Sequence, residues 1–362
     1  MSYNRSARTA DGKLFAWGSN DHHQLGIGTM MQSSGSDRVQ RTNILAPCAA
    51  NWVVRNVVAV ACGWQNTIAI TGPVNLTEGT QSSHEHKVFC WGSNKFGQLG
   101  TASEGIDVHC PTAINIYLLA QPYRVQSVSC GWKHSLLVTA TGEAFAWGTG
   151  RHGELGLGTS ILHSVNPTRI LTRQMFQQVH CGWQHSVFVS FDGKVSSCGS
   201  NKHGQLGTND SLAPLYSPRL ITTTESDEVK SIVVKQISVG WHHCVCITLG
   251  NEVLSWGKGS HGQLGIGLDD GAYTPTSILI DPIKHRAISQ VACGSEHTLL
   301  LTHDGSVYSC GWGEHGNLGH GTTTNEDIPS EILYFQDQQL AVESVRAGGA
   351  VSIAIARPRC QI

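Results

Sequence analysis

A turn segment that opens on Trp-Gly or Cys-Gly and closes on Leu-Gly occurs six times in this chain: Trp17-Gly18 to Leu25-Gly26, Trp91-Gly92 to Leu99-Gly100, Trp147-Gly148 to Leu155-Gly156, Cys198-Gly199 to Leu206-Gly207, Trp256-Gly257 to Leu264-Gly265, and Cys310-Gly311 to Leu318-Gly319. The two glycines stand eight positions apart in every copy. Repetition at a period of roughly fifty residues constrains a chain more than its length does, because one short module cannot bury both of its faces and must stack on the next.

A second segment precedes five of these turns and follows the last. Its copies are Cys62-Gly63-Trp64-Gln65-Asn66-Thr67, Cys130-Gly131-Trp132-Lys133-His134-Ser135, Cys181-Gly182-Trp183-Gln184-His185-Ser186, Val239-Gly240-Trp241-His242-His243-Cys244, Cys293-Gly294-Ser295-Glu296-His297-Thr298 and the degenerate Ala347-Gly348-Gly349-Ala350-Val351-Ser352. Its glycine lies 17 residues before the next turn glycine in four repeats and 29 in the first, an insertion of 12. Between the two segments lie short apolar runs joined by Thr141-Gly142, Asp192-Gly193, Gly250-Asn251 or Asp304-Gly305, the chemistry of β-hairpins. Pro111, Pro167, Pro218, Pro275 and Pro329 follow each Leu-Gly by 10 or 11 residues, and Pro47 follows its own by 21. Proline is confined to edge strands or strand starts, so these are expected to open the outermost strand of each module.

The pattern predicts an all-β chain: a single closed β-propeller with six countable blades, each of about four strands. The last copy has only its Gly348 segment and Ile353-Ala354-Ile355, and the first has only Phe15-Ala16-Trp17. The N- and C-terminal strands are therefore expected to share one blade and leave no open edge. On this reading 1–13 is a short N-terminal extension, 14–356 the propeller with an insertion near 72–86, and 357–362 a C-terminal tail.

Only 14% of residues are charged and the net charge is −2, which provides no general attraction for phosphate backbones or anionic lipid. No window approaches a spanning helix, and the first ten residues lack a signal-peptide core. The expectation is a monomeric, cytoplasmic ring, with the nucleus as a second compartment, that contacts neither membrane nor nucleic acid directly. The twelve cysteines are then thiols, and the sequon Asn75-Leu76-Thr77 goes unused.

The alternation of Trp-Gly-x-x-x-x-Gly-Gln-Leu-Gly with Gly-x-x-His-Ser/Thr resembles the repeat of the regulator of chromosome condensation family, over residues 14 to 356. That family commonly has seven blades. Cys293-Gly294-Ser295-Glu296-His297 with Gly311-Trp312-Gly313-Glu314-His315-Gly316-Asn317 is similar to a small single-propeller branch, comprising the fungal alpha-tubulin suppressor, or killer-toxin-insensitivity protein, and the animal secretion-regulating exchange-factor-like protein. The resemblance implies one of two roles. One is an accessory subunit for diphthamide synthesis and Elongator-dependent tRNA wobble-uridine modification, acting through a small zinc-ribbon partner. The other is a guanine-nucleotide exchange factor-like regulator of a small GTPase in secretion. The basic tail with which the founding member binds nucleosomes has no counterpart here.

Candidate residues divide by how the repeat uses them. Gly63, Gly131, Gly182, Gly240 and Gly294, with His134, His185, His243 and His297, recur once per module. They read as structural, since equivalent places on separate blades do not converge on a metal or a reaction. The histidines His22, His152, His203, His261 and His315, replaced once by Phe96, read as packing or as a partner-facing ring. Trp17, Trp91, Trp147 and Trp256 read as core. Trp64, Trp132, Trp183 and Trp241 stand where other family repeats carry glycine, which marks them either as an exposed partner-binding arc or as packing between blades. His84 and His86, in the insertion, are candidates because loops on rigid scaffolds often hold specificity. No phosphate loop, nucleophile elbow, metal triad or carboxylate pair appears, so no cofactor, metal or catalytic residue is assigned and the chain is read as non-enzymatic.

Overall fold

The computed structural model describes residues 4–8, 13–26, 44–49, 56–72, 86–114, 116, 123–208, 212–225, 228–267, 271–278 and 287–359. Strands β1 (Asn4–Arg8), β2 (Leu14–Gly18) and β3 (Ile44–Ala49) form one sheet. Four-stranded antiparallel meanders follow: β4 (Val57–Cys62), β5 (Asn66–Thr71), β6 (Lys87–Gly92) and β7 (Val108–Ile114), then β8 (Val125–Cys130), β9 (His134–Thr139), β10 (Ala144–Thr149) and β11 (His163–Arg169). The next is β12 (Phe176–Cys181), β13 (His185–Ser190), β14 (Val195–Gly199) and β15 (Leu215–Leu220), followed by a hairpin of β16 (Thr222–Glu225) and β17 (Glu228–Ser231). Then come β18 (Val234–Val239), β19 (His243–Thr248), β20 (Val253–Gly257) and β21 (Ala272–Ser277), and β22 (Ile288–Cys293), β23 (His297–Thr302), β24 (Val307–Gly311) and β25 (Glu326–Glu331). One helical turn, α1 (Tyr334–Asp337), leads to a final pair, β26 (Leu340–Gly348) and β27 (Val351–Pro358).

The hairpins form where the turn chemistry places them: β9 pairs with β10 across Thr141-Gly142 from Ala144↔Val138 to Gly148↔His134, and β23 with β24 across Asp304-Gly305. Inside each sheet the second strand is covered on both faces, so β5, β9 and β23 are buried at every position. Such strands read as continuous apolar runs, as Leu136-Leu137-Val138 and Leu299-Leu300-Leu301 do. In the first repeat β5 and β6 stay in register out to Thr71↔Lys87, so the insertion leaves from the hairpin tip. Residues 73–85, including His84, lie outside the described residues.

The prolines sit on the outermost strands but do not open them. Pro111, Pro167, Pro218, Pro275 and Pro329 lie inside β7, β11, β15, β21 and β25. Each faces the register shift at the third strand's Trp-Gly or Cys-Gly pair, as between Ala146 and Gly148 or Ser255 and Gly257. At this bulge the ladder skips a pairing, so a residue without an N–H loses nothing. Gly148 takes φ +100° there, and a Cβ on it would run into the Lys133 carbonyl, so glycine is required.

The chain divides into two compact units, Met1–Cys181 with Phe188–Phe191 and Gly182–Val187 with Asp192–Ile362. In the first, β4 packs on β8 and β8 on β12, with the Val179 and Cys181 amides donating to the Ser127 and Ser129 hydroxyls at 3.2 and 2.9 Å. Its core joins Ile68, Ile70 and Val88 to Leu137, Phe145 and Trp147, and each such side chain contributes about 1.5–3 kcal/mol by burial. In the second, β18 packs on β22 and β22 on β26, stitched by the amides of Cys293 to Ser238 Oγ and of Val345 to Gln290 Oε1, both at 2.9 Å. The sheet expected to join the two ends is not formed among the described residues: β2 pairs with β1 and β3, and β27 with β26 alone.

Candidate docking face

The framework of this face is a carbonyl that accepts twice. In the first unit the Gln98 carbonyl takes the Trp147 indole N–H at 2.9 Å and the Ser135 hydroxyl at 2.8 Å. Gln24 does the same with Trp91 at 2.9 Å and Thr67 at 2.8 Å. In the second unit the Gln205 carbonyl faces Trp256 Nε1 at 3.2 Å and Cys244 Sγ at 3.8 Å, and the Gln263 carbonyl takes Thr298 Oγ1 at 2.7 Å. The glutamine side chain meanwhile holds its own turn, Gln98 Oε1 accepting from the Phe96 amide and Gln205 Oε1 from the His203 amide, each at 2.8 Å. Trp91, Trp147 and Trp256 are fully buried; the side chain of Trp17 is not among those described.

Each repeat histidine continues this network. His243 Nε2 lies 3.2 Å from Thr298 Oγ1, and His297 Nε2 lies 3.0 Å from Ser352 Oγ. Those hydroxyls spend their protons on the Gln263 and Asn317 carbonyls, so each imidazole donates from Nε2. Burial pushes the pKa down to about 4 for His134, about 3 for His243 and about 4 for His297. His185 Nε2 meets Cys244 Sγ at 3.5 Å. A Cβ on Gly182, Gly240 or Gly294 would fall within the ring of His185, His243 or His297; on Gly63 it would meet Asn66 Oδ1. The Gly131 amide bonds the His134 carbonyl at 2.9 Å.

Trp64, Trp132, Trp183 and Trp241 are half-buried. Their backbones join neighbouring loops: the Trp64 amide donates to the Gly131 carbonyl at 3.2 Å, Trp183 to Trp241 at 2.9 Å, Trp241 to Ser295 at 3.1 Å, and Ser295 to Gly349 at 2.8 Å. Trp183 and Trp241 meet edge to face, centroids 4.5 Å apart. His242 lies 6.1 Å from Trp183 and 5.2 Å from His203, and burial, then His203 and the Lys258 and Lys202 charges, hold it down at about 4. In the first unit Trp132 tilts over Phe96 at 6.4 Å, with the Lys133 ammonium 3.7 Å from the Trp132 centroid and 4.4 Å from that of Phe96.

The turn histidines are partly exposed and mostly paired with acids: His22 with Asp107 at 3.0 Å, His152 with Glu154 at 3.4 Å, and His261 with Glu296 at 3.0 Å. Glu296 also holds Lys258 at 2.6 Å. His315 instead packs on Trp312 at 4.7 Å. His86 does not project with the insertion: its Nδ1 accepts from the Val125 amide at 3.2 Å and its own amide donates to the Tyr123 carbonyl, which ties it to the start of β8. Lys133, His242 and Glu296 were missed by sequence reasoning although a signal existed. The position after the loop tryptophan varies through Gln65, Lys133, Gln184, His242 and Glu296 while its surroundings repeat.

In the second unit a cavity of about 660 Å³ lies along β15 to β17 and β21, lined by Arg219, Thr222, Lys230, Thr248, Glu252 and Thr274 among others. It holds no paired nucleophile and base. Among the described residues no group of three or more His, Cys, Asp or Glu is placed to hold a metal ion, and no helix is long and apolar enough to cross a membrane.

The profile of the RCC1-like domain matches residues 6–354. The chain is 30% identical over 376 residues to the secretion-regulating guanine nucleotide exchange factor of Mus musculus, covering 98% of this chain and 73% of that protein. It is 30% identical over 322 residues to the ultraviolet-B receptor UVR8 of Arabidopsis thaliana, covering 88% of this chain and 65% of the receptor. Against the probable E3 ubiquitin-protein ligase HERC6 of Homo sapiens the figures are 33% over 252 residues, 68% of this chain but 24% of that protein, so the chain spans under two thirds of the last two. Among solved structures, Prp20p of Saccharomyces cerevisiae superposes at a TM-score of 0.78 with 20% identity, covering 99% of this chain and 81% of Prp20p. Human WBSCR16 superposes at 0.76 with 23% identity, covering 98% of this chain and 84% of WBSCR16. At such identities the likeness is one of fold.

Proposed function

Because this chain belongs to the RCC1-like domain family, we propose that it is a non-catalytic docking propeller, a regulatory or accessory subunit that presents its loop tryptophans to a protein partner. One observation carries the reading. Ser295 and Gly349 take part in the same loop-to-loop backbone bonding as Trp183 and Trp241, so the framework needs no indole at that place. A large aromatic that the fold does not require, half-exposed in a rigid loop, is the chemistry of an interface hot spot.

The motif from Cys293 to Asn317 favours the small single-propeller branch, and with it a small zinc-ribbon partner and a role in diphthamide synthesis and wobble-uridine modification, in the cytoplasm and nucleus. A second reading, exchange on a small GTPase, draws on the 30% identity to the mouse exchange factor and on Prp20p, which is described as binding Gsp1p and histones. Affinity purification from cell extract with mass spectrometry separates the two readings. Loss of the captured partner in a folded Trp132→Ala, Trp183→Ala variant is the expected result, and unchanged capture refutes the tryptophan face. Acceleration of GDP release from a GTPase would favour the second reading.

For the ring we propose six blades, with β26, β27 and the sheet of β1, β2 and β3 sharing the blade that closes it. In β27, Ile353 is 42% and Ile355 59% exposed, whereas the equivalent strand β23 is buried throughout. Removing 351–362 is then expected to lower the unfolding midpoint of the whole protein. A truncated chain that unfolds like the full one refutes closure.

A further inference from the structure

The first unit carries neighbouring cations that are held on aromatic rings and not in ion pairs. Lys133 is held between the Trp132 and Phe96 rings, and the Lys95 ammonium lies 5.7 Å from the Phe96 centroid. Burial first, then the Arg151 charge and more weakly that of Lys95, lower the Lys133 pKa against the opposing influence of Glu154. Four other cations have acid partners: Arg169 with Glu143, Lys194 with Asp192, Lys258 with Glu296 and Arg357 with Glu343. Lys95, Lys133 and Arg151 form no ion pair among the described residues. The nearby acids are engaged, Glu154 by the His152 amide and ring and Glu104 by His163.

The platform is also built in place. The Lys133 carbonyl accepts from the Thr149 amide at 2.9 Å. Phe96 is fixed from both sides, its amide on Gln98 Oε1 at 2.8 Å and its carbonyl taking Thr149 Oγ1 at 3.2 Å. Like charges gathered on a rigid aromatic support cost free energy in the isolated protein, and an incoming anion removes that cost without ordering the support. The aromatic faces cover one side of the Lys133 ammonium, and its remaining donors are available to a carboxylate.

We infer that Lys95 and Lys133, with Phe96 and Trp132, dock an acidic peptide segment of the protein partner. This rests on the docking reading above. A nucleic acid strand is the less fitting occupant, because acids adjoin the patch, Asp107 accepting from the Asn94 amide beside Lys95 at 3.3 Å and Glu154 acting on the Lys133 charge, whereas a phosphate backbone carries its charge past so short a patch.

The test uses the full chain and a fluorescent oligo-glutamate peptide, with binding followed by anisotropy against a neutral Gln-Gly peptide and an oligothymidylate. The acidic peptide is expected to bind, and to bind less well as salt rises. Lys95→Glu, Lys133→Glu should weaken it on the order of tenfold or more, while Lys133→Arg, which keeps charge and stacking, should retain it. Equal binding of the neutral peptide, an unaffected charge-reversed variant, or tighter binding of the oligothymidylate would overturn the inference. If the peptide fails while extract partners are still captured by the wild type and lost in Trp132→Ala, Trp183→Ala, the acidic segment falls and the docking reading stands. If the tryptophan variant captures every partner unchanged, the docking reading itself falls.

Discussion

Replacing Thr298 with valine isolates the hydrogen bonds that join one repeat to the next, since the side-chain shape is kept and only the hydroxyl is lost. Thr298 is fully buried; it donates to the Gln263 carbonyl at 2.7 Å and receives the His243 Nε2 proton at 3.2 Å. Where other repeats have an indole as second donor, this one has Cys310, whose sulfur is 4.0 Å away. The valine therefore strands two buried polar groups at about 1–3 kcal/mol each, for a loss of about 2–6 kcal/mol. Thr67→Val makes the same chemical change at the Gln24 carbonyl, but there the Trp91 indole remains at 2.9 Å. A carbonyl that keeps one good donor loses only the net value of a hydrogen bond, about 1 kcal/mol. Urea unfolding followed by circular dichroism, with fitted slopes checked for equality, should place Thr298→Val at least about 1 kcal/mol below Thr67→Val. Equal losses would show that the second donor is irrelevant and that the shared carbonyl is not what couples the repeats.

Acid should destabilise the fold early. Burial holds His134, His180 and His297 at about 4 and His243 at about 3, below the ordinary 6.5. Below pH 6.5 the unfolded chain binds protons that the folded one refuses, so stability is complete above that value and is lost as pH falls toward 4; at pH 5 the loss reaches about 2 kcal/mol per histidine. A urea midpoint that stays level from pH 7 to pH 5 would count against this. Thiol accessibility gives an independent check on the core. Cys110 is exposed, whereas Cys90, Cys130, Cys198, Cys244, Cys246, Cys293 and Cys310 are buried, with Cys246 and Cys293 pushed up to about 12 by burial. A disulfide reagent should label Cys110 in the native protein and the seven buried thiols only after unfolding; rapid native labelling of those seven would contradict the packing described.

The repeat was legible in the sequence because its spacing records backbone requirements. The turn glycine eight residues before Leu-Gly marks a bulge with positive φ, and the loop glycine marks the absence of a Cβ beside a histidine ring. The prolines were assigned to the correct strand but the wrong place in it. The bulge that excuses their missing N–H arises from pairing with the third strand, and local sequence does not show a pairing. The place of β1 was hidden for the same reason: Asn4↔Gly18 repeats the register of His134↔Gly148, yet Asn4–Arg8 lacks the apolar run by which the other second strands are found. The charge pattern of the docking face was missed because it lies in single positions that vary between copies, and any search for repetition discards such positions.

That division of labour follows from how the repeats are joined. Glutamine carbonyls, backbone amides and buried hydroxyls make the joints, so the side chain after each loop tryptophan is free to vary between repeats. In the first unit this freedom places Lys133 on an aromatic support; in the second it places Glu296 between Lys258 and His261. The same repeat position therefore gives one unit a positive patch on aromatic rings and the other an internal ion pair. The chain's sequence relatives carry names as different as an exchange factor, an ultraviolet-B receptor and a probable ubiquitin-protein ligase. What an RCC1-like chain binds must accordingly be argued from these few loop positions and not from the repeat.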